Sequence, residues 1–217
     1  MKRFFYLLIF SLLLTTSYSQ EKVTELSHYL FPEFTQGIIL MKNGIKNNAL
    51  LNYNSLTEEM IFLDKGNMLA IGDKELELID TVFIMDRKFF TFNNKFIELI
   101  SHSKYDLCAE HKCKVITHGK PAGYGTTSQT SATTSYLSLV SGGRLYDLKL
   151  PEDYEIKPYT YYWLKKNGEF NKFINMRQLM KLYADKKNLF KAYIKEHDVT
   201  FDNQESIIHF VNYLETE

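Results

Sequence analysis

The stretch that decides the fold is Ala49–Ile100, ALLNYNSLTEEMIFLDKGNMLAIGDKELELIDTVFIMDRKFFTFNNKFIELI. Apolar runs of four to six residues (ALLNYN, EMIFLD, MLAI, TVFIMD, KFFTF, KFIELI) alternate in it with short turn signals. Runs of that length, rich in aromatic and β-branched residues and bounded by Asn, Asp and Gly, are the signature of strands joined by tight turns. The turns fall at 54–58, Lys65-Gly66-Asn67, Asp86-Arg87 and Asn93-Asn94. Leu76 and Leu78 alternate with Glu75 and Glu77, which reads as one more half-buried strand. The whole stretch is expected to be an antiparallel β-meander.

Working outward, Ile38–Met41 forms a strand before the meander and ends at Asn43-Gly44, a strong hairpin signal. Ahead of it, Leu26, Tyr29, Leu30 and Phe31 can dock on the core, and Pro32 stops any helix. Residues 1–19 read differently from everything else. Lys2 and Arg3 precede an apolar run, Phe4–Leu14, and the small Ser17 and Ser19 stand before Gln20. That order is the order of a secretory signal peptide, with cleavage before Gln20. The run is short of the roughly 20 residues a membrane-spanning helix needs. Without those residues the chain carries 24 Lys and Arg against 26 Asp and Glu, a net charge of −2. A near-neutral surface exerts no global pull on nucleic acid. Export places the chain in the periplasm, at the cell surface or outside the cell.

Downstream, Tyr105–Thr117 is one long strand or a hairpin. Residues 119–135, GKPAGYGTTSQTSATTS, offer almost nothing to bury and read as a mobile surface loop near any binding site, with Tyr124 its one anchor and a candidate binding residue. Strands follow at Tyr136–Val140 and Leu145–Leu150, and a hairpin at Tyr159–Phe173 turns on Asn167-Gly168. The apolar period then becomes helical. Asn175, Asp185 and Asn203 are candidate N-caps for three short helices. The fold class is therefore α+β: a mainly antiparallel sheet, open or barrel-like, over 20–174, with a helical subdomain packed on it over 175–217.

LNYNSLTEEM, DTVFIMDRKFF, KPAGYG and LYDLKLPEDY together resemble a group of small secreted proteins of Bacteroidota-type bacteria. The resemblance spans most of the chain after the leader. It implies export and a β-rich core with a helical tail, and it transfers no catalytic residue.

Four groups of residues bear on function. Tyr159, Tyr161 and Trp163 share one face of a strand and could stack on sugar rings or make a protein contact; packing on Phe170 and Phe173 of the same hairpin is the structural alternative. Cys108 and Cys113 matter because an exported chain meets an oxidising compartment. On a continuous strand they stand roughly 16 Å apart, whereas a hairpin loop over 109–112 would let them form a disulfide. Cys108, His111, Cys113 and His118 are possible zinc ligands, but the spacing matches no usual zinc knuckle, so no metal or cofactor is expected and solvent-exposed histidines are the default. Lys187, Lys191 and Lys195 make a basic stripe that could contact an anionic lipid surface or polysaccharide; the simpler account is that the acidic terminal helix balances it in the fold. No nucleophile elbow or phosphate loop is present; Gly123-Tyr124-Gly125 lacks the third glycine, and Glu58-Glu59 and Glu75/Glu77 are ordinary turn and strand carboxylates.

The expectation is an exported, non-catalytic structural or binding protein of the bacterial envelope, contacting a glycan, a lipid or another envelope protein. A carbohydrate- or lipid-binding module using the tyrosine hairpin or a cavity in the β-core is the alternative, and a hydrolase the third.

Overall fold

The computed structural model describes residues 28–117, 120–122, 126–128 and 154–217. The residues read as a leader, Leu26, His118, Tyr124 and the strands expected at 136–140 and 145–150 lie outside the described residues. The chain builds β1 (Thr35–Met41), β2 (Lys46–Asn54), β3 (Glu59–Asp64), β4 (Asn67–Ala70), the one-turn helix α1 (Asp73–Leu76), β5 (Ile79–Ile84), β6 (Arg87–Phe92), β7 (Lys95–His102) and β8 (Asp106–Thr117). A small hairpin of β9 (Lys120–Ala122) and β10 (Thr126–Ser128) follows, within the stretch read as a loop. Then come β11 (Tyr154–Lys166), β12 (Glu169–Phe173) and three helices, α2 (Met176–Leu182), α3 (Lys187–Glu196) and α4 (Gln204–Thr216).

Ten strands form one antiparallel sheet in the order β12-β11-β8-β7-β6-β5-β1-β2-β3-β4. It is not a simple meander. After β4 the chain returns through α1, and β5 pairs with the free side of β1 rather than with β4, as in a Greek-key return. The expected strand at Leu76–Leu78 is this return: Leu76 is buried in the α1 turn and Leu78 is exposed. Asp73 and Glu75 in the first turn suit the positive end of a helix. Lys42 ties the return to β1, its N–H donating to the Leu78 carbonyl and its ammonium to the Glu77 carbonyl.

The register carries one face through all ten strands. Leu51, Ile84, Phe89 and Phe96 share it with Leu107, Tyr162 and Phe173. This inner face holds both apolar cores. One surrounds Leu51, Tyr53, Met60, Val82 and Phe89, and the other joins β8, β11 and β12 to the helices through Phe190, Phe210 and Leu214. The sheet curls towards that face. The β2–β3 turn reaches β8, where Cys113 N–H donates to the Ser55 carbonyl at 3.0 Å and the Tyr53 hydroxyl to the His111 carbonyl at 3.2 Å. Gly37 permits the tight curl, since a Cβ there would lie 2.6 Å from the Phe83 carbonyl oxygen.

Helix starts follow the sequence at two of three places. Asn175 accepts from Gln178 N–H and Asn203 from Ser206 N–H, both at 3.0 Å. Asp185 does not cap α3; it lies inside a 3-10 turn, Ala184–Lys186, that leads directly into the helix.

Candidate functional site

Tyr159, Tyr161 and Trp163 stand together on the outer face of β11, half-buried. Register sets them opposite Lys112, Glu110 and Cys108 of β8, and Trp163 also opposite Lys172 of β12. Neighbouring rows therefore alternate aromatic rings with long charged side chains. Lys172 Nζ lies 4.5 Å from the Tyr161 ring centre and 5.0 Å from that of Trp163. Lys114 sits 4.9 Å from the centre of Tyr159. Ammonium groups over aromatic faces are attracted by the ring quadrupole, here on a partly desolvated surface.

Glu110 is the hub of this face. It is 5 % exposed and accepts from Trp163 Nε1 at 2.9 Å, Lys172 at 2.7 Å and Lys112 at 3.3 Å. Burial alone would raise its carboxyl, but the hydrogen bonds from Lys172 and Trp163 and the charges of Lys112 and Lys172 outweigh it and hold it below the usual carboxylate range. Glu58 extends the network, holding Lys112 and, at 2.5 Å, Lys95. It does so from a left-handed backbone conformation, φ 62°, in the β2–β3 turn. The turn is braced by Asn54, whose side-chain oxygen accepts from Leu56 and Thr57 N–H.

The aromatic face has its own small apolar floor. Trp163 meets Phe92 edge-on with centroids 5.1 Å apart, and Phe170 meets Phe92 at 4.1 Å and Phe90 at 6.1 Å. Cys108 and Ile97 of the same outer face are thereby buried. Phe170 thus joins the cluster as the hairpin reading expects. Phe173 does not, because it pairs with Tyr162 on the inner face.

Sequence reading missed a second polar centre, on the inner face. Glu98 takes a two-pronged contact from Arg87, Nε to Oε1 and Nη2 to Oε2, each 2.6 Å. His111 Nε2 lies 2.5 Å from Glu98 Oε2 and 3.1 Å from Arg87 Nη2. An ionised carboxylate only accepts, so at the shorter contact Nε2 donates to Glu98, and Arg87 Nη2, itself only a donor, is then a neighbour of that nitrogen and not its hydrogen-bond partner. Burial would raise the Glu98 carboxyl, and the bonds from Arg87 and His111 reverse that and lower it. The Arg87 guanidinium is 5.0 Å from the Phe31 ring centre and 5.6 Å from that of Phe89. A signal was available: in KFIELI, Glu98 shares its strand face with Phe96, a charge at a core position that needs a partner. His111, expected to be solvent-exposed, is instead buried against Tyr53.

The disulfide reading is corrected. β8 is continuous, so Cys108 and Cys113 point to opposite faces five residue steps apart along extended chain, beyond the roughly 7 Å that a bridge spans. Both thiols are buried and free, and burial pushes each up to about 12. Among the described residues no group of three His, Cys, Asp or Glu side chains converges as a metal site. Nor, among them, does any ion pair join Lys187, Lys191 or Lys195 to the terminal helix; only Lys186 reaches it, at the Leu214 carbonyl. No helix of the described residues is long and apolar enough to cross a membrane. No family model matches the chain, and neither a curated protein nor a solved structure matches it.

Proposed function

We propose that the protein is an exported binding protein of the cell envelope that presents the aromatic–lysine face of β8, β11 and β12 to an acidic glycan. The observation that carries this reading is the interleaving of Tyr159, Tyr161 and Trp163 with Lys112, Lys114 and Lys172. Sugar rings bring apolar CH faces and, in uronates, regularly spaced carboxylates. Aromatic rings and ammonium groups answer both. The lysines are held over rings and by Glu110 and Glu58, so less side-chain entropy is lost when a ligand binds than for free surface lysines. The charge is local rather than global, which favours a short acidic ligand over nucleic acid. The leader at 1–19 supports export, and intact-mass analysis of the exported protein should give a chain beginning at Gln20.

The test is calorimetric titration with oligogalacturonates and with neutral oligosaccharides of equal length. Oligogalacturonates should bind and weaken as salt rises, the neutral series should not bind, and Lys114→Ala with Tyr161→Ala should lower affinity about tenfold or more. Equal binding of both series, or binding untouched by the double substitution, refutes the reading.

A further inference from the structure

A well-formed cleft lies elsewhere, at the open end of the curled sheet. It is a cleft of about 710 Å³ whose floor is the inner face of β1–β3 and whose wall is β4 and α1. Ile39, Met41, Ala49, Phe62, Leu69 and Ile71 line it. Its volume lies within the range of sites that take small apolar ligands, roughly 300–1,000 Å³. The apolar floor is continuous with the core around Leu51 and Val82, because Ile39, Met41, Ala49 and Phe62 pack against that core. The cleft is not a flat patch. The Greek-key return makes it: α1 crosses the end of the sheet instead of β5 extending it, leaving a wall and a floor with nothing between.

Its charged groups are of one sign. Asn47, Asn48, Asp64 and Glu75 border the cleft, and no lysine or arginine is among the described residues that line it. A carboxylate or phosphate head placed there would meet two carboxylates and no cation. An ammonium or neutral head would meet carboxylates and amides that can accept from it.

We infer that this cleft binds the chain of a single-chain amphiphile whose head group is cationic, with Asp64 and Glu75 at the head. The site is distinct from the aromatic–lysine face, which lies on the other side of the sheet and carries the opposite charge. One molecule could occupy each independently.

The test is titration of the full chain with octyl-, decyl- and dodecyltrimethylammonium and with the carboxylates of equal chain length, each below its critical micelle concentration. Affinity for the ammonium series should rise about fourfold per added methylene while the cleft has room. The carboxylates should bind at least several-fold more weakly, and Asp64→Asn with Glu75→Gln should erase that difference. Leu69→Asp, at an edge-strand position 42 % exposed, should abolish binding without lowering the melting temperature. Ala49→Phe, which fills the floor, should do the same by steric exclusion. Absence of saturable binding overturns the inference, as does binding indifferent to Leu69→Asp. Tighter binding of carboxylates overturns the head-group assignment. Concentration-dependent dimerisation that Leu69→Asp abolishes would show a second copy in the cleft and also overturn it.

Discussion

Glu98 and Gly37 show how single residues hold this fold. Removing one member of a buried ion pair strands the others, at a cost of about 3–5 kcal/mol. Glu98→Ala leaves Arg87 and His111 side by side on the inner face, so a loss of that size is expected in chemical denaturation. The pH dependence follows from the direction of its shift. Folded Glu98 and Glu110 titrate below their ordinary value of 4.5, so each contributes stability that is complete above that value and lost as pH falls through the folded one. His28 acts in the same sense at higher pH: burial pushes it below its ordinary 6.5, and the unfolded chain takes up a proton that the folded chain refuses. The melting temperature should therefore fall on acidification from neutrality, first near pH 6 and again below pH 4.5. Glu98→Gln should flatten the lower limb. A melting temperature that rises between pH 7 and pH 4 would contradict this. At Gly37 even one methyl group collides with the Phe83 carbonyl oxygen at 2.6 Å and Leu51 Cδ1 at 2.7 Å. Gly37→Ala should cost about 1–3 kcal/mol through overpacking, measurable as an earlier urea midpoint.

At the scale of elements, the helices are the cover of half the sheet. Leu107, Ala109, Tyr162, Leu164 and Phe173 are buried in one cluster with Leu179, Phe190, Ile207, Phe210 and Leu214. Burying a large apolar side chain contributes about 1.5–3 kcal/mol, and an isolated helix as short as these is marginal in water. Truncation after Ile174 should therefore remove cooperative unfolding of the sheet and expose surface that binds a hydrophobic dye. A truncated chain melting at the full-length temperature would refute it. The polar ties point the same way: Glu215 accepts from the Tyr183 hydroxyl at 2.9 Å and from Ser103, and Ser101 donates to Asn212 at 2.9 Å. The terminal helix is clamped both at the end of β7 with its following turn and at Tyr183, just past the end of α2.

For the whole molecule, local chemistry and global arrangement part company. Hairpins at Asn43-Gly44, Lys65-Gly66, Asn93-Asn94 and Asn167-Gly168 were legible because these residues tolerate the positive φ that the turns require: Lys65, Asn93, Asn94, Asn167 and the three glycines all adopt it. Helical period and Asn caps were legible for the same local reason. So was the shared face of Tyr159, Tyr161 and Trp163, since alternation is a property of the strand alone. The partners of that face were not: Glu110, Lys112 and Lys172 reach it only through the pairing of β8, β11 and β12. The leap of β5 to β1, the Arg87–Glu98–His111 centre and the apolar cleft likewise depend on which strand lies beside which. Sequence by itself determined most of the strands, hairpin turns and helices of the described residues, because those depend on neighbours a few residues away; it misread Leu76–Leu78, where packing of the return turned an alternating pattern into a helical turn, and the β9–β10 hairpin, which it read as a loop. Tertiary structure alone decided sheet order, curl and the two candidate binding surfaces, because contacts between residues dozens of positions apart set them.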